Sequence, residues 1–192
     1  MNIDKDKQNQ SEKILLAAYN CISSRGYANV SLRDIADEAG VALSQLSYYY
    51  KNKEGLFKEV IKMMTQKYLL EIDKCLKKES TPQARLNSLI IYFRDMLKYN
   101  SELFKLLCDF ISMAIWSVSF RGLIINLFRE LAAMIEKYIL NNISMKGLEE
   151  YSSKSLSRMI LGAMLGTAIQ VLLDSEEDAL PEALNSMHIL FE

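Results

Sequence analysis

Between Leu32 and Ala39 the apolar residues Leu32, Ile35, Ala36 and Ala39 recur at i, i+3, i+4 and i+7, which lays one buried stripe along an α-helix. Ser31 can cap the start of that helix, and Asp34 can return the bond as in a capping box. Gly40 stands where the helix should end, because a residue without Cβ takes the left-handed conformation at low cost. Val41 and Leu46 can then lock a second helix, near Leu43 to Tyr49, onto the first. The same helical spacing marks an opening helix with Ile14, Leu15 and Ala18, and a connecting helix over Glu54–Lys77 with Leu56, Phe57, Val60, Ile61 and Met64. Further helices are predicted near Pro82–Tyr99, Glu102–Ser117, Phe120–Asn141, Ser152–Leu173 and Pro181–Phe191. Thr81-Pro82 reads as a cap and first helical position, and Pro181 as part of a first turn after Asp178. The whole pattern predicts an all-α fold. Only 7 glycines and 2 prolines, with few alternating β-branched runs, agree with helix throughout.

The second short helix would turn Leu43, Ser44, Gln45, Ser47 and Tyr48 away from the core. A helix presenting such a set can enter the major groove of DNA. Gln can bond an adenine edge in two places, Ser can serve several bases, and Leu43 can meet a thymine methyl. The tyrosines can bond phosphates, whereas Tyr50, continuing the buried stripe, is expected in the core. Asn52 is a good cap for the connecting helix, and a helix N-terminus beside Lys53 attracts a phosphate oxygen.

Charge narrows this reading. The chain carries a formal charge of −1, and a general nucleic-acid coat protein would be strongly basic. Cations and carboxylates nearly balance in the first 59 residues. Binding must therefore come from local placement, with few phosphate contacts and a moderate salt dependence.

Taken together, the residues from about Ser11 to Met64 resemble the tetracycline-repressor (TetR) family of one-component bacterial transcriptional regulators. The marks are Ile14-Leu15 and Ala18 leading to Arg25-Gly26-Tyr27, then Ser31-Leu32, Ile35-Ala36, Ala39-Gly40-Val41, Tyr49-Tyr50, Lys53-Glu54 and Leu56-Phe57. The resemblance implies a three-helix DNA-binding head followed by an all-helical body that binds a ligand and dimerises. Its roles fall on Ser31 and Arg33 near phosphates, on Leu43, Ser44, Gln45 and Ser47 toward bases, and on Tyr48, Tyr49 and Lys53 toward the DNA backbone. Ser47 departs from the pattern, which usually has an aromatic there. Ala42 departs too, in place of a small hydroxyl residue.

The expected organisation is a flexible arm over 1–10, a DNA-binding domain over 11–57 with its helix-turn-helix at 31–50, and a regulatory and dimerisation domain over 58–192. Lys5 and Lys7 of the arm could brush DNA. In the body, Tyr92, Phe93, Met96, Phe104, Cys108, Ile111 and Trp116 are candidates to line a pocket for a small hydrophobic effector, since aromatic and sulfur-bearing side chains suit adaptable apolar sites. The same residues could equally form plain core.

The helix Ser152–Leu173 is apolar on more than one side and carries Gly162 and Gly166 four residues apart, which permits close helix approach. A helix of this kind must be buried twice. Met159, Gly162, Gly166, Ile169 and Leu173 are therefore assigned to a homodimer interface, completed by Leu184 and Met187 of the last helix. The run Met159–Leu173 is shorter than a membrane span needs and is read as a buried helix. The N-terminus lacks the apolar core of a signal peptide, which points to the cytoplasm.

Cys21, Cys75 and Cys108 are widely separated, without metal-site or disulfide spacing, and the only histidine, His188, lies in an apolar stretch. No glycine-rich phosphate loop, carboxylate-histidine cluster or nucleophile elbow is present. Catalytic residues, cofactors and metals are thus not expected. The combined expectation is a dimeric repressor that a small hydrophobic ligand releases from a palindromic operator. The alternative is a helical interaction or ligand-binding protein without sequence-specific DNA binding.

Overall fold

The structure, a computed structural model, describes residues 3–141, 150–174 and 182–191. All regular elements among the described residues are helical. They run α1 (Ile3–Arg25), α2 (Leu32–Ala39), α3 (Leu43–Tyr49), α4 (Lys53–Lys78), α5 (Pro82–Tyr99), α6 (Ser101–Trp116), α7 (Val118–Ile135) and α8 (Ser153–Leu173). A π-helical turn, Glu136–Leu140, extends α7, and a 3₁₀ segment, Ala183–Phe191, follows α8.

The chain divides into two compact units, Met1–Thr65 with Lys105–Leu123, and Gln66–Phe104 with Ile124–Glu192. The division falls within α4, α6 and α7. In the first unit Ile14, Ala18, Ile35, Leu46, Leu56 and Phe57 are fully buried. Phe57 sits between two aromatic neighbours, meeting Tyr27 edge-on at 4.0 Å and Phe110 at 5.8 Å between ring centroids. Such edge contacts add to the hydrophobic gain.

The second unit packs Leu76, Leu86, Ile90, Ile139, Leu156 and Ile160 into one core. Thr81 caps α5 by accepting from the Ala84 N–H at 3.2 Å, with Pro82 in the first turn as the sequence suggests. Arg85 donates to the Glu79 carbonyl at 2.9 Å and the Tyr138 carbonyl at 3.0 Å, so it serves backbone groups that helix ends leave open. Tyr138 in turn donates to Asp73 at 2.7 Å. The π-helical turn brings Ile139 and Leu140 into the core.

Several expectations need revision. Residues 3–10, read as an arm from their polarity, continue α1, since the stretch holds no glycine or proline to interrupt it. The last segment is a 3₁₀ helix rather than an α-helix, and the expected role of Pro181 and Asp178 lies outside the described residues. The side chains of Lys5, Lys7 and His188 lie outside them too.

Helix α8 begins earlier than its apolar run, because Ser152 caps it through the Ser155 N–H at 3.1 Å. It reaches 21 residues and is, by length and hydropathy, long enough to cross a membrane. Nor is it buried throughout. Leu156, Ile160, Met164 and Ala168 lie on a single stripe in the core, while Met159 and Leu173 face outward.

Candidate nucleic-acid interface

The helix-turn-helix is built as its sequence pattern dictates. Ser31 Oγ accepts from the Asp34 N–H at 3.2 Å, and the Asp34 carboxylate accepts from the Ser31 N–H at 2.7 Å, closing the capping box. Hydrogen bonds from Ser31, and then the Arg25 guanidinium at 3.7 Å, hold the Asp34 carboxyl below its ordinary range. Gly40 ends α2 with φ +62°, in the left-handed region, and Val41 bonds back to the Ala36 carbonyl at 3.0 Å. A side chain at Gly40 would be strained there.

Leu46 is fully buried and fixes α3 on the core. The opposite face carries Leu43, Ser44, Ser47 and Tyr48, all exposed, with Tyr48 at 71%. Gln45 and Tyr49 lie half-buried along the edge toward α1. Ala42 supplies no side-chain cap, in keeping with its departure from the family pattern. Ser31 and Arg33 are exposed at the start of α2. One face therefore carries hydroxyl, amide and apolar groups suited to base edges, with a guanidinium nearby for phosphate.

Tyr50 is half-buried, its hydroxyl 2.9 Å from Ser11 Oγ, and burial raises its pKa. It anchors the end of α3 to α1 rather than facing outward. Asn52 caps α4 by accepting from the Gly55 N–H at 2.8 Å.

Lys53 is more constrained than a free phosphate-binding lysine. Its Nζ donates to the Tyr27 carbonyl at 2.5 Å and lies 4.1 Å from the Tyr27 ring centre, and burial lowers its pKa. One of its N–H donors is thus spent inside the protein. Tyr27 also gives its backbone N–H to Asp109 at 3.0 Å, and Gly26, at φ +77°, leaves room for that carboxylate. Asp109 was not singled out in the sequence. The signal was present, since it is the one carboxylate in the apolar stretch Phe104–Trp116.

The pocket candidates are distributed between the two units: Tyr92, Phe93, Met96 and Phe104 in the second, and Cys108, Ile111 and Trp116 in the first. Phe93 meets Phe104 edge-on at 4.9 Å. Tyr92 donates to Glu71 at 2.8 Å, and burial followed by this bond pushes its hydroxyl pKa far up. Glu71 is a polar group that apolar periodicity did not reveal. Trp116 does not line an interior, being 86% exposed where α6 ends. Burial raises the Cys75 and Cys108 thiols, which disfavours reactive thiolate.

Of the interface candidates, Met159 is 52% exposed, Ile169 39% and Leu173 83%. A Cβ added at Gly162 or Gly166 would meet nothing within 4 Å. Phe128, Arg158, Leu161, Gly162 and Leu165 line a groove of about 170 Å³ beside this face. Leu184, expected at the interface, is instead fully buried in the core of its own unit. Met187 packs partly against that same core. No group of three or more histidine, cysteine or acidic side chains among the described residues could hold a metal.

Residues 14–60 match the family model described as bacterial regulatory proteins of the TetR family. The chain is 28% identical over 93 residues to the "Probable HTH-type transcriptional regulator YttP" of Bacillus subtilis, covering 48% of this chain and 44% of that protein. It is also 28% identical over 82 residues to the fatty acid metabolism regulator protein of Bacillus subtilis, covering 43% and 42% respectively. The chain therefore spans less than half the length of these curated relatives. A TetR transcription regulator from Haloarcula marismortui shares the fold, with a TM-score of 0.81 at 21% identity over 96% of this chain and 97% of the other. The matched family is one of regulators, not enzymes. Residues 14–60, which hold the capped helix pair, are thus of the kind described by the TetR family of bacterial regulatory proteins, and the chain as a whole shares its fold with a TetR transcription regulator.

Proposed function

We propose that the protein is a ligand-responsive, sequence-specific transcriptional repressor that acts in the cytoplasm as a homodimer on a palindromic operator. The outward face of α3, with Leu43, Ser44, Ser47 and Tyr48 exposed and Gln45 at its edge on a helix fixed by buried Leu46, is the observation that carries it. Ser31 and Arg33 contact phosphates, and Tyr48, Tyr49 and the remaining donors of Lys53 contact the DNA backbone. The outward apolar face of α8 meets its copy, so that the heads fit half-sites a helical turn or a multiple apart.

A small hydrophobic effector binds within the body. It favours another body conformation and shifts the heads through the connecting helix α4, a coupling on the order of 1–3 kcal/mol. Phe93, Phe104, Met96 and Tyr92 are its proposed contacts in the second unit, while the polar Tyr92–Glu71 pair supplies orientation.

Selection of bound duplexes from a random DNA pool at near-physiological salt tests the reading. A two-fold symmetric site is the expected product. Folded, dimeric protein that enriches nothing over the input would overturn it.

A further inference from the structure

Gln10 lies at the end of the polar N-terminal stretch, yet on α1 it makes contacts that bear on base reading. Its Oε1 accepts from Gln45 Nε2, and also from the Tyr49 hydroxyl at 3.4 Å. Gln45 and Tyr49 are one helical turn apart, so both donors come from one edge of α3. The neighbouring Ser11 reinforces the junction through Tyr50, whose hydroxyl lies 2.9 Å from Ser11 Oγ and 3.3 Å from the Ser11 carbonyl oxygen. We propose that Gln10 is a positioning residue that sets how Gln45 presents its amide to a base, an inference resting on the DNA-reading role proposed above.

The chemistry follows from the inventory of the amide. A glutamine side chain has two N–H donors on nitrogen and one carbonyl acceptor. Two-point recognition of adenine consumes one donor and the acceptor. Gln10 occupies the other donor, which leaves the pair that adenine needs. A free glutamine amide can also turn over about its last torsion and offer donor and acceptor in reverse order. The bond to Gln10 Oε1 removes that freedom, because only the nitrogen of Gln45 can donate to it. While Gln10 presents its oxygen, as it does here to both Gln45 and Tyr49, the orientation is set from α1 before DNA arrives. Specificity at the Gln45 base pair thereby depends on a residue that need not touch the base.

The test measures binding to the selected operator and to its single-base-pair variants, with the position read by Gln45 defined as the one where Gln45→Ala loses its preference. Gln10→Met keeps the length of the side chain and removes the acceptor. It should reduce the base preference at that position roughly tenfold, leaving other positions unchanged. Gln10→Glu, which can only accept, should retain the preference. Gln10→Ala serves as a second acceptor-free variant, and circular dichroism establishes that each protein is folded. In a Gln45→Ala background Gln10→Met should change nothing further at that position.

A loss equal on all sequences, or one that persists without Gln45, would make Gln10 a backbone contact and overturn the inference. So would an unchanged preference in both acceptor-free variants. Wild-type protein that enriches no site would overturn the regulator reading itself, an outcome distinct from an enriched site that is insensitive to Gln10.

Discussion

Helices α3 and α8 each have one face in a core and the other turned outward, but the outward face of α3 is mainly polar, with Leu43 the exception, and that of α8 carries large apolar residues. On α3 buried Leu46 is backed by Ser44, Ser47 and Tyr48 in solvent. On α8 buried Ile160 and Met164 are backed by Met159, Ile169 and Leu173, with glycines that leave open space between them. Polar groups in water gain from a partner only when its donors and acceptors match, and that selects a particular surface. Apolar groups gain wherever water is removed, and close packing on small residues then decides the fit. The polar face suits base edges, and the apolar face suits a second copy of the chain.

The sharpest way to break this contrast is to place a charge on the apolar side. Ile169→Glu should convert the dimer to a monomer in sedimentation and leave the fold intact, since Ile169 is 39% exposed in the protomer. Losing the linkage between two heads should lower affinity for a two-fold site by at least about 100-fold. A dimer that survives this change would move the interface elsewhere.

Leu184 sharpens the same comparison from the other side. The sequence pattern groups it with the interface, whereas the structure buries it in the protomer core. Leu184→Ala should therefore cost about 2–5 kcal/mol in a urea titration, through lost burial and a cavity. If it instead weakened only dimerisation, the segment Ala183–Phe191 would belong to the seam after all.

These two residues illustrate what was legible in the sequence. In the helix-turn-helix, each local signal has one structural meaning: Ser31 with Asp34 closes a cap, Gly40 takes positive φ, and Leu46 is the apolar position that locks α3. In the body, core, pocket and interface all call for the same apolar residue types. Helical spacing identifies faces but not which neighbour covers them, so Leu184 and Ile169 read alike. Trp116 reads as pocket-lining for the same reason, because hydrophobicity alone does not reveal that it sits exposed at a helix end. Gln10, Asp109 and Glu71 escaped because their roles depend on partners 35, 82 and 21 residues away in sequence, across turns that periodicity does not fold.

Within the head, substitutions at Gln45 and Lys53 test whether reading and holding are separate. Gln45→Ala should cost about 1–3 kcal/mol at particular base positions and little elsewhere. Lys53→Ala should weaken all sequences alike. It should also lower the melting temperature, because its ammonium bonds the Tyr27 carbonyl and lies over that ring. Equal loss on every sequence for Gln45→Ala would remove it from the base-reading set, and an unchanged melting temperature for Lys53→Ala would reduce that lysine to a phosphate contact.

The smallest effect concerns the cap that aims α2. The Asp34 carboxyl is held below its ordinary range by hydrogen bonds from Ser31 and, more weakly, by Arg25. A carboxyl whose folded pKa is depressed contributes stability that is complete above its unfolded value of about 3.9 and is lost as pH falls through the lower folded value. The melting temperatures of wild type and Asp34→Asn should therefore differ by a constant amount from neutral pH down to about 5, begin to converge below about 3.9, and meet only beneath the lower folded value. The asparagine keeps a side-chain acceptor for the Ser31 N–H and replaces the oxygen facing Arg25 with an uncharged NH2, so the comparison removes ionisation while the capping acceptor stays. A gap that persists at the acid end would assign the contribution to hydrogen-bond geometry, and Ser31→Ala, expected to cost about 1 kcal/mol at neutral pH, would then carry the whole effect of the cap.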